Sequence, residues 1–253
     1  MAKHDLTILT GASRGMGLAM ARQLCVQGAA VLCISRNRSD ALQNWADTQG
    51  AQLMQWTADL TDPAPVAGRL RGWLQAQDPT GLGSATLINN AGVIGHLGPL
   101  ETGDAQAIAA ALRIDLEAPM QLTAAFLAAT HGWSLPRRIL NISSGLGRRA
   151  MAGAALYCAA KAGMDHYSRC VALDEARKPH GARIVALAPG VIDTDMQGEL
   201  RGAHPQQFPD RDNFQRLKDS AAMTSPEQAA RQVLAYLARA DFGEPVVADV
   251  RDA

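Results

Sequence analysis

The chain has 253 residues with 24 basic and 24 acidic side chains, so its formal charge is zero and no bulk field draws it to nucleic acid or an anionic membrane. Hydrophobic residues make up 47% and aromatics only 4%. That composition excludes disorder and requires a core of aliphatic and small side chains.

The N-terminal residues lead into a short apolar segment and then glycines, without the long apolar region of a secretion signal, which predicts a cytoplasmic chain. Downstream, apolar strand-like runs alternate with amphipathic or Ala-rich segments of helical period. Strands are predicted over 6–10, 30–35, 52–56, 85–89, 138–143 and 183–188. Helices are predicted over 15–27, 40–49, 63–76, 104–129 (one helix or a broken pair) and 154–177. The strands carry no polar face, which predicts an α/β domain spanning 1–253, a parallel sheet covered by helices on both sides. The uncharged stretch 118–136 includes Gln121, Thr123, Thr130 and His131, too polar to span a bilayer.

The rhythm breaks at 191–223, where Gly198, Gly202, Pro205 and Pro209 fall among charges; the segment is too long for an ordinary connection and reads as a mobile substrate lid. Ser225-Pro226-Glu227-Gln228 then combines an N-cap serine, proline at the first helical position and glutamine three residues after the cap. A last helix to about 239 and a short strand near 245–248 follow.

The first strand runs into Thr10-Gly11-Ala12-Ser13-Arg14-Gly15-Met16-Gly17 and then directly into a helix. Glycines permit a tight turn and close approach of backbone to a pyrophosphate, and the helix N-terminus offers unpaired N–H groups. Such turns also occur for structure alone; the position after the first strand is what favours a dinucleotide. The second strand ends Cys33-Ile34-Ser35-Arg36, without the carboxylate that would hold an adenosine ribose diol. Ser35, Arg36 and Arg14 instead suit a ribose 2′-phosphate, so NADP(H) is expected over NAD(H). Asp59-Leu60 and Asn89-Asn90-Ala91-Gly92 lie on the carboxyl edge of the sheet. There Asp59 is placed to accept from an adenine amino group and Asn89 to tie loop to strand, although each is also ordinary turn chemistry.

Tyr157 and Lys161 are four apart on a predicted helix and share a face. A nearby ammonium favours the phenolate and makes proton exchange by tyrosine feasible near neutrality. Ser144 lies thirteen residues before Tyr157, at a strand end, with its hydroxyl placed to hold a substrate carbonyl; Ser143 beside it is a competitor. The cysteines Cys25, Cys33, Cys158 and Cys170 show no redox or zinc spacing, and the six histidines lack ligand spacing, so no catalytic metal is expected.

With these elements together, the sequence resembles the short-chain dehydrogenase/reductase family over nearly its whole length. The resemblance implies a single-domain Rossmann-type, doubly wound parallel sheet of about seven strands. It implies that Tyr157 is the general acid or base, that Lys161 binds the nicotinamide ribose and lowers the tyrosine pKa, and that Ser144 orients the carbonyl. Pro189-Gly190, the Ile192 backbone and Thr194 would hold the carboxamide end of the cofactor, with a homodimer or homotetramer as the assembly. Asp115, in Arg113-Ile114-Asp115-Leu116, occupies the position where the family usually carries an asparagine in a water-linked proton path. Ionised aspartate accepts hydrogen bonds but donates none, so that path is in question.

The segments Leu156 to Ala162 and Pro189 to Gln197, with the C-terminal tail, look like the sepiapterin reductase and bacterial benzil reductase branch. By that likeness Asp249 would anchor a pterin-type substrate, unless it merely ends a strand. The expected activity is NADPH-dependent reduction of a ketone or 1,2-diketone. The alternatives are a 3-oxoacyl thioester reductase, for which Arg148, Arg149 and Arg201 would receive an acidic carrier, and a non-catalytic NADP(H) sensor supported by Asp115.

Overall fold

The computed structural model describes residues 3–220 and 222–252. In chain order the elements are β1 (His4–Thr10), α1 (Gly15–Val26), β2 (Ala30–Ser35), α2 (Asp40–Thr48), β3 (Leu53–Thr57), α3 (Pro63–Gln75), β4 (Leu82–Asn89) and α4 (Ala105–Leu112). Then follow α5 (Ala118–Ala129), β5 (Arg137–Ile142), α6 (Ala155–Glu175), β6 (Arg183–Ala188), α7 (Asp195–Gly202), α8 (Arg211–Asp219), α9 (Pro226–Leu237) and β7 (Val247–Asp249). Among the described residues the strands form one seven-stranded sheet, all parallel, in the order β3-β2-β1-β4-β5-β6-β7. The chain winds outward from β1 to β3, returns beside β1 as β4 and winds the other way. The crevice left between the carboxyl ends of β1 and β4 is where ligands bind in such sheets.

Strand residues alternate between two cores, which is why no strand reads as half polar. Leu9, Val31, Cys33, Leu140 and Val185 pack with α1 and α9 on one face. Ile8, Leu32, Ile34, Leu87, Ile139 and Ile184 pack with α3 and α5 on the other. Each fully buried Leu or Ile contributes about 1.5–3 kcal/mol through removal of apolar surface from water. The predicted helix over 104–129 is continuous from Ala105 to Ala129, with a turn of π-helix at Arg113–Glu117 that carries Asp115.

The segment 191–223 departs from a structureless excursion. It folds into α7 and α8, and its apolar residues Leu200, Phe208 and Phe214 are buried while its charges face water. The rings of Phe208 and Phe214 stack at 5.7 Å, and Ile192 bridges to Thr224, so both ends of the excursion are tied. Among the described residues no helix is long and apolar enough to cross a membrane.

At the far end of α6, Glu175 and Arg137 form an ion pair whose side chains are 1% and 2% exposed. Glu175 also accepts from the Ala182 N–H and pairs with Lys178. Removing one partner of such a pair strands the other charge in a medium of low polarity. Glu175→Ala is expected to destabilise the fold by about 3–5 kcal/mol, read by urea denaturation. A loss below about 1 kcal/mol, the range of exposed pairs, would show that the pair is effectively solvated.

Candidate active site

At the carboxyl edge of the sheet lies a cavity of about 710 Å³. Its dinucleotide end is built from the loop between β1 and α1. Gly11 has φ +72°, and a side chain there would meet the Ala91 backbone at 2.8 Å; a Cβ on Gly17 would lie 2.1 Å from the Gly11 carbonyl oxygen. The loop therefore exists only with bare backbone at these positions. Helix α1 has no side-chain cap and no acidic residue in its first turn, so its leading N–H groups remain available to an anion. The cradle and the uncapped helix fit the pyrophosphate of a dinucleotide.

Gly11, Ser13, Arg14, Gly15, Met16 and Gly17 all line this cavity, as do Ser35, Arg36, Asp59 and Leu60 from the next two strand ends. Ala91, Gly92, Pro189, Gly190, Ile192 and Thr194 complete the wall. Ser35 Oγ accepts from the Ala12 N–H at 2.9 Å, and Asp59 accepts from the Thr61 N–H, so both help shape their loops. Arg14 reaches across the opening to Asp195 at 2.9 Å, whereas Arg36 forms no ion pair among the described residues.

Asn89 corrects an expectation. It lies outside the cavity wall, and its buried amide donates to Asn141 at 2.8 Å and to Thr123 at 3.3 Å, stitching β4 to β5 and α5. The tie between loop and strand is made by Asn90, whose amide donates to the carbonyls of Thr10 and Gly11. Strand alternation explains the exchange: Asn89 is still in β4 and faces a core, while Asn90 is the first residue beyond it.

Ser144, Tyr157 and Lys161 meet at the other end of the cavity. Ser144 caps the short turn after β5, accepting from the Leu146 N–H. Lys161, 4% exposed, donates from Nζ to the Ile142 carbonyl at 2.9 Å, and the Nζ lies 5.5 Å from the centre of the Tyr157 ring. Burial pushes the Lys161 ammonium down, while Asp115 and Asp165 hold it up. Pairing with lysine leads one to expect a depressed phenol; here burial pushes Tyr157 well up and the Asp115 carboxylate adds to it, with only the Ser144 hydroxyl acting the other way. The phenol is thus held in its protonated form.

Asp115 is buried behind the wall and is not part of it. Its Oδ1 accepts from the Val93 N–H at 2.8 Å, and burial raises its carboxyl despite the nearby Lys161. Asp249 does line the cavity, but its carboxylate is already engaged, by Arg251 in a two-point contact at 2.8 and 2.6 Å and by Arg148 at 3.8 Å. Hydrogen bonding to Arg251 holds this carboxyl below its usual range. Two contributors to the site, Arg251 and Asp165, escaped the sequence reading. Asp165 carried a signal: it follows Lys161 by one helical turn and so shares its face.

A parallel sheet reversing at β1 and β4, a bare-backbone cradle at the reversal and a Ser-Tyr-Lys group beside it define a nicotinamide-dependent oxidoreductase. The short chain dehydrogenase family matches residues 5–205, and the chain belongs to that family, whose members act on carbonyl and alcohol groups. It is 34% identical to the benzil reductase ((S)-benzoin forming) of Bacillus cereus, over 93% of this chain and 94% of that protein. It is also 32% identical to the sepiapterin reductase of Meriones unguiculatus, over 97% and 95%. A solved short-chain dehydrogenase/reductase from Burkholderia vietnamiensis superposes with a TM-score of 0.68 at 35% identity, covering 100% of this chain and 99% of that one.

Gly17→Ala is expected to abolish nucleotide binding, read by quenching of intrinsic fluorescence, with the circular-dichroism spectrum retained. Binding within about threefold of the parent would mean that the backbone cradle is not the phosphate site.

Proposed function

We propose that the chain is an NADPH-dependent carbonyl reductase acting on a ketone or 1,2-diketone that bears apolar, aryl-type groups. The observation that carries this reading is the apolar chamber beside Ser144 and Tyr157. Ile94, Leu146, Met196, Leu200 and Phe214 line it and belong to a separate small core with Phe208 beneath. Such a chamber rewards burial of flat apolar groups, while Arg149, Gln197 and Glu199 lie elsewhere on the same wall. The relationship to benzil reductases supports the same substrate class. A pterin would meet at Asp249 a carboxylate whose charge is already shared with Arg251 and Arg148.

When bound, the reduced nicotinamide supplies hydride to the carbonyl carbon. Ser144 orients and polarises the carbonyl oxygen, and Tyr157 delivers the proton that this oxygen needs to become a hydroxyl. Lys161 holds the nicotinamide ribose and keeps a positive charge behind the phenol. Asp115, next to Lys161 and fixed by the Val93 N–H, serves the inner end of the proton path. Ser13, Arg14 and Met16 with the glycines hold the pyrophosphate side; Arg36, Ser35 and Arg14 read the 2′-phosphate, and Asp59 and Leu60 flank the adenine. Helices α7 and α8 act as the substrate lid. Homo-oligomers form through α5 and α6, which leave Met120 and Leu173 46% and 72% exposed.

The test is oxidation of NADPH, with NADH in parallel, against benzil, sepiapterin, an aromatic ketone and an acetoacetyl thioester. Turnover of benzil with preference for NADPH is expected. Turnover of the thioester alone would move the assignment to lipid synthesis, and nucleotide binding without any turnover would favour a sensor. Tyr157→Phe is expected to lose about 10²- to 10⁴-fold in kcat while still binding NADPH; near-parental activity would remove Tyr157 as the donor. Because its pKa is raised, Tyr157 remains an acid throughout the neutral range. The rate of reduction should therefore stay level there and fall only in strong alkali, and a decline centred near neutrality would assign the proton to another group.

A further inference from the structure

Asp165 is a buried carboxylate, 2% exposed, to which the reaction assigns nothing. Its Oδ1 accepts from the Ser143 hydroxyl at 2.5 Å. Its Oδ2 is buried without a hydrogen-bond partner among the described residues, an arrangement that costs stability unless something else compensates. The charged groups facing it are Arg148 from the turn after β5 and Arg169 and Lys161 from its own helix.

The neighbouring contacts give this carboxylate a geometric consequence. Lys161 Nζ grips the carbonyl of Ile142, and one turn along the same helix Asp165 grips the side chain of the next residue, Ser143. The residue after that is Ser144. Gly147 closes the arrangement: a Cβ there would lie 2.9 Å from Asp165 Oδ2 and 2.9 Å from the Lys161 carbonyl, so the turn after β5 rests directly on α6. Two consecutive residues of the serine-bearing strand end are thus fastened to the helix that bears the tyrosine.

We propose that Asp165 is a positioning residue, which with Lys161 clamps residues 142 and 143 to α6 and so sets the spacing between the Ser144 and Tyr157 hydroxyls. The proposal rests on Ser144 and Tyr157 being the reacting pair. Misplacing a reacting group by about 1 Å can cost on the order of 10²-fold in rate.

Ser143→Ala, Ser143→Thr, Asp165→Ala and Tyr157→Phe are compared for kcat, KM, equilibrium NADPH affinity and Tm, with benzil as substrate. Ser143→Ala and Asp165→Ala are each expected to lose about 10- to 100-fold in kcat, with KM and NADPH affinity within about threefold of the parent. Their double variant should lose little more than either alone, because both cut one contact. Ser143→Thr keeps the hydroxyl and should recover most of the rate. If Asp165→Ala fails to fold, the alanine and threonine variants at 143 decide the matter alone. A Ser143→Ala enzyme with lowered Tm but kcat within about twofold of the parent overturns the clamp and leaves the reaction assignment standing. An active Tyr157→Phe overturns both.

Discussion

The site is organised around one buried positive charge. Lys161 is 4% exposed, and an ammonium taken out of water must be compensated locally or lose its proton. The Ile142 carbonyl accepts from it, and Asp115 and Asp165 offset its burial from two different elements. That requirement gathers the end of β5, the π-helical turn before α5 and the middle of α6 around a single atom. The same burial that pushes the lysine down also pushes the Tyr157 phenol up.

A second constraint comes from the backbone. Where the sheet reverses, the β1 loop must lie against the β4 loop, and Gly11 and Gly17 are where any side chain would collide. The cofactor end is therefore defined by missing atoms and the reacting end by charged ones. Segment 191–223 spans the two. Thr194 lies 3.4 Å from the position of a Cβ on Gly15, Asp195 pairs with Arg14, and Phe214 belongs to the apolar chamber. The segment therefore reaches from the loop between β1 and α1 to the apolar chamber.

Most of the fold was legible because short continuous apolar runs bounded by turn residues and the Ser225-Pro226 helix start are local signals. Boundaries moved where tertiary pairing decided: β1 and β4 begin earlier than their apolar cores, and β7 shifts to Val247–Asp249. The helices α7 and α8 were hidden by Gly198, Gly202, Pro205 and Pro209, and their stability comes from burying Leu200, Phe208 and Phe214 rather than from propensity. The predicted strand already ended at Asn89; what the sequence could not show is that the Asn89 amide turns to Asn141 and Thr123 while the Asn90 amide turns to the β1 loop. For Asp249 the sequence left two readings open, a substrate anchor by likeness or the end of a strand; it does end β7, and its pairing with Arg251 in the final turn leaves no pattern in sequence.

By itself the sequence determined the α/β class, the glycine cradle and the Ser144, Tyr157 and Lys161 group, because each depends on residue type and short spacing along one element. Only the tertiary structure decided which carboxylates face Lys161, that Asp249 is already paired, and that the phenol is raised rather than lowered. Those outcomes depend on burial and on charges brought together from distant parts of the chain, and electrostatic energies inside a protein follow distance and solvent access rather than sequence order.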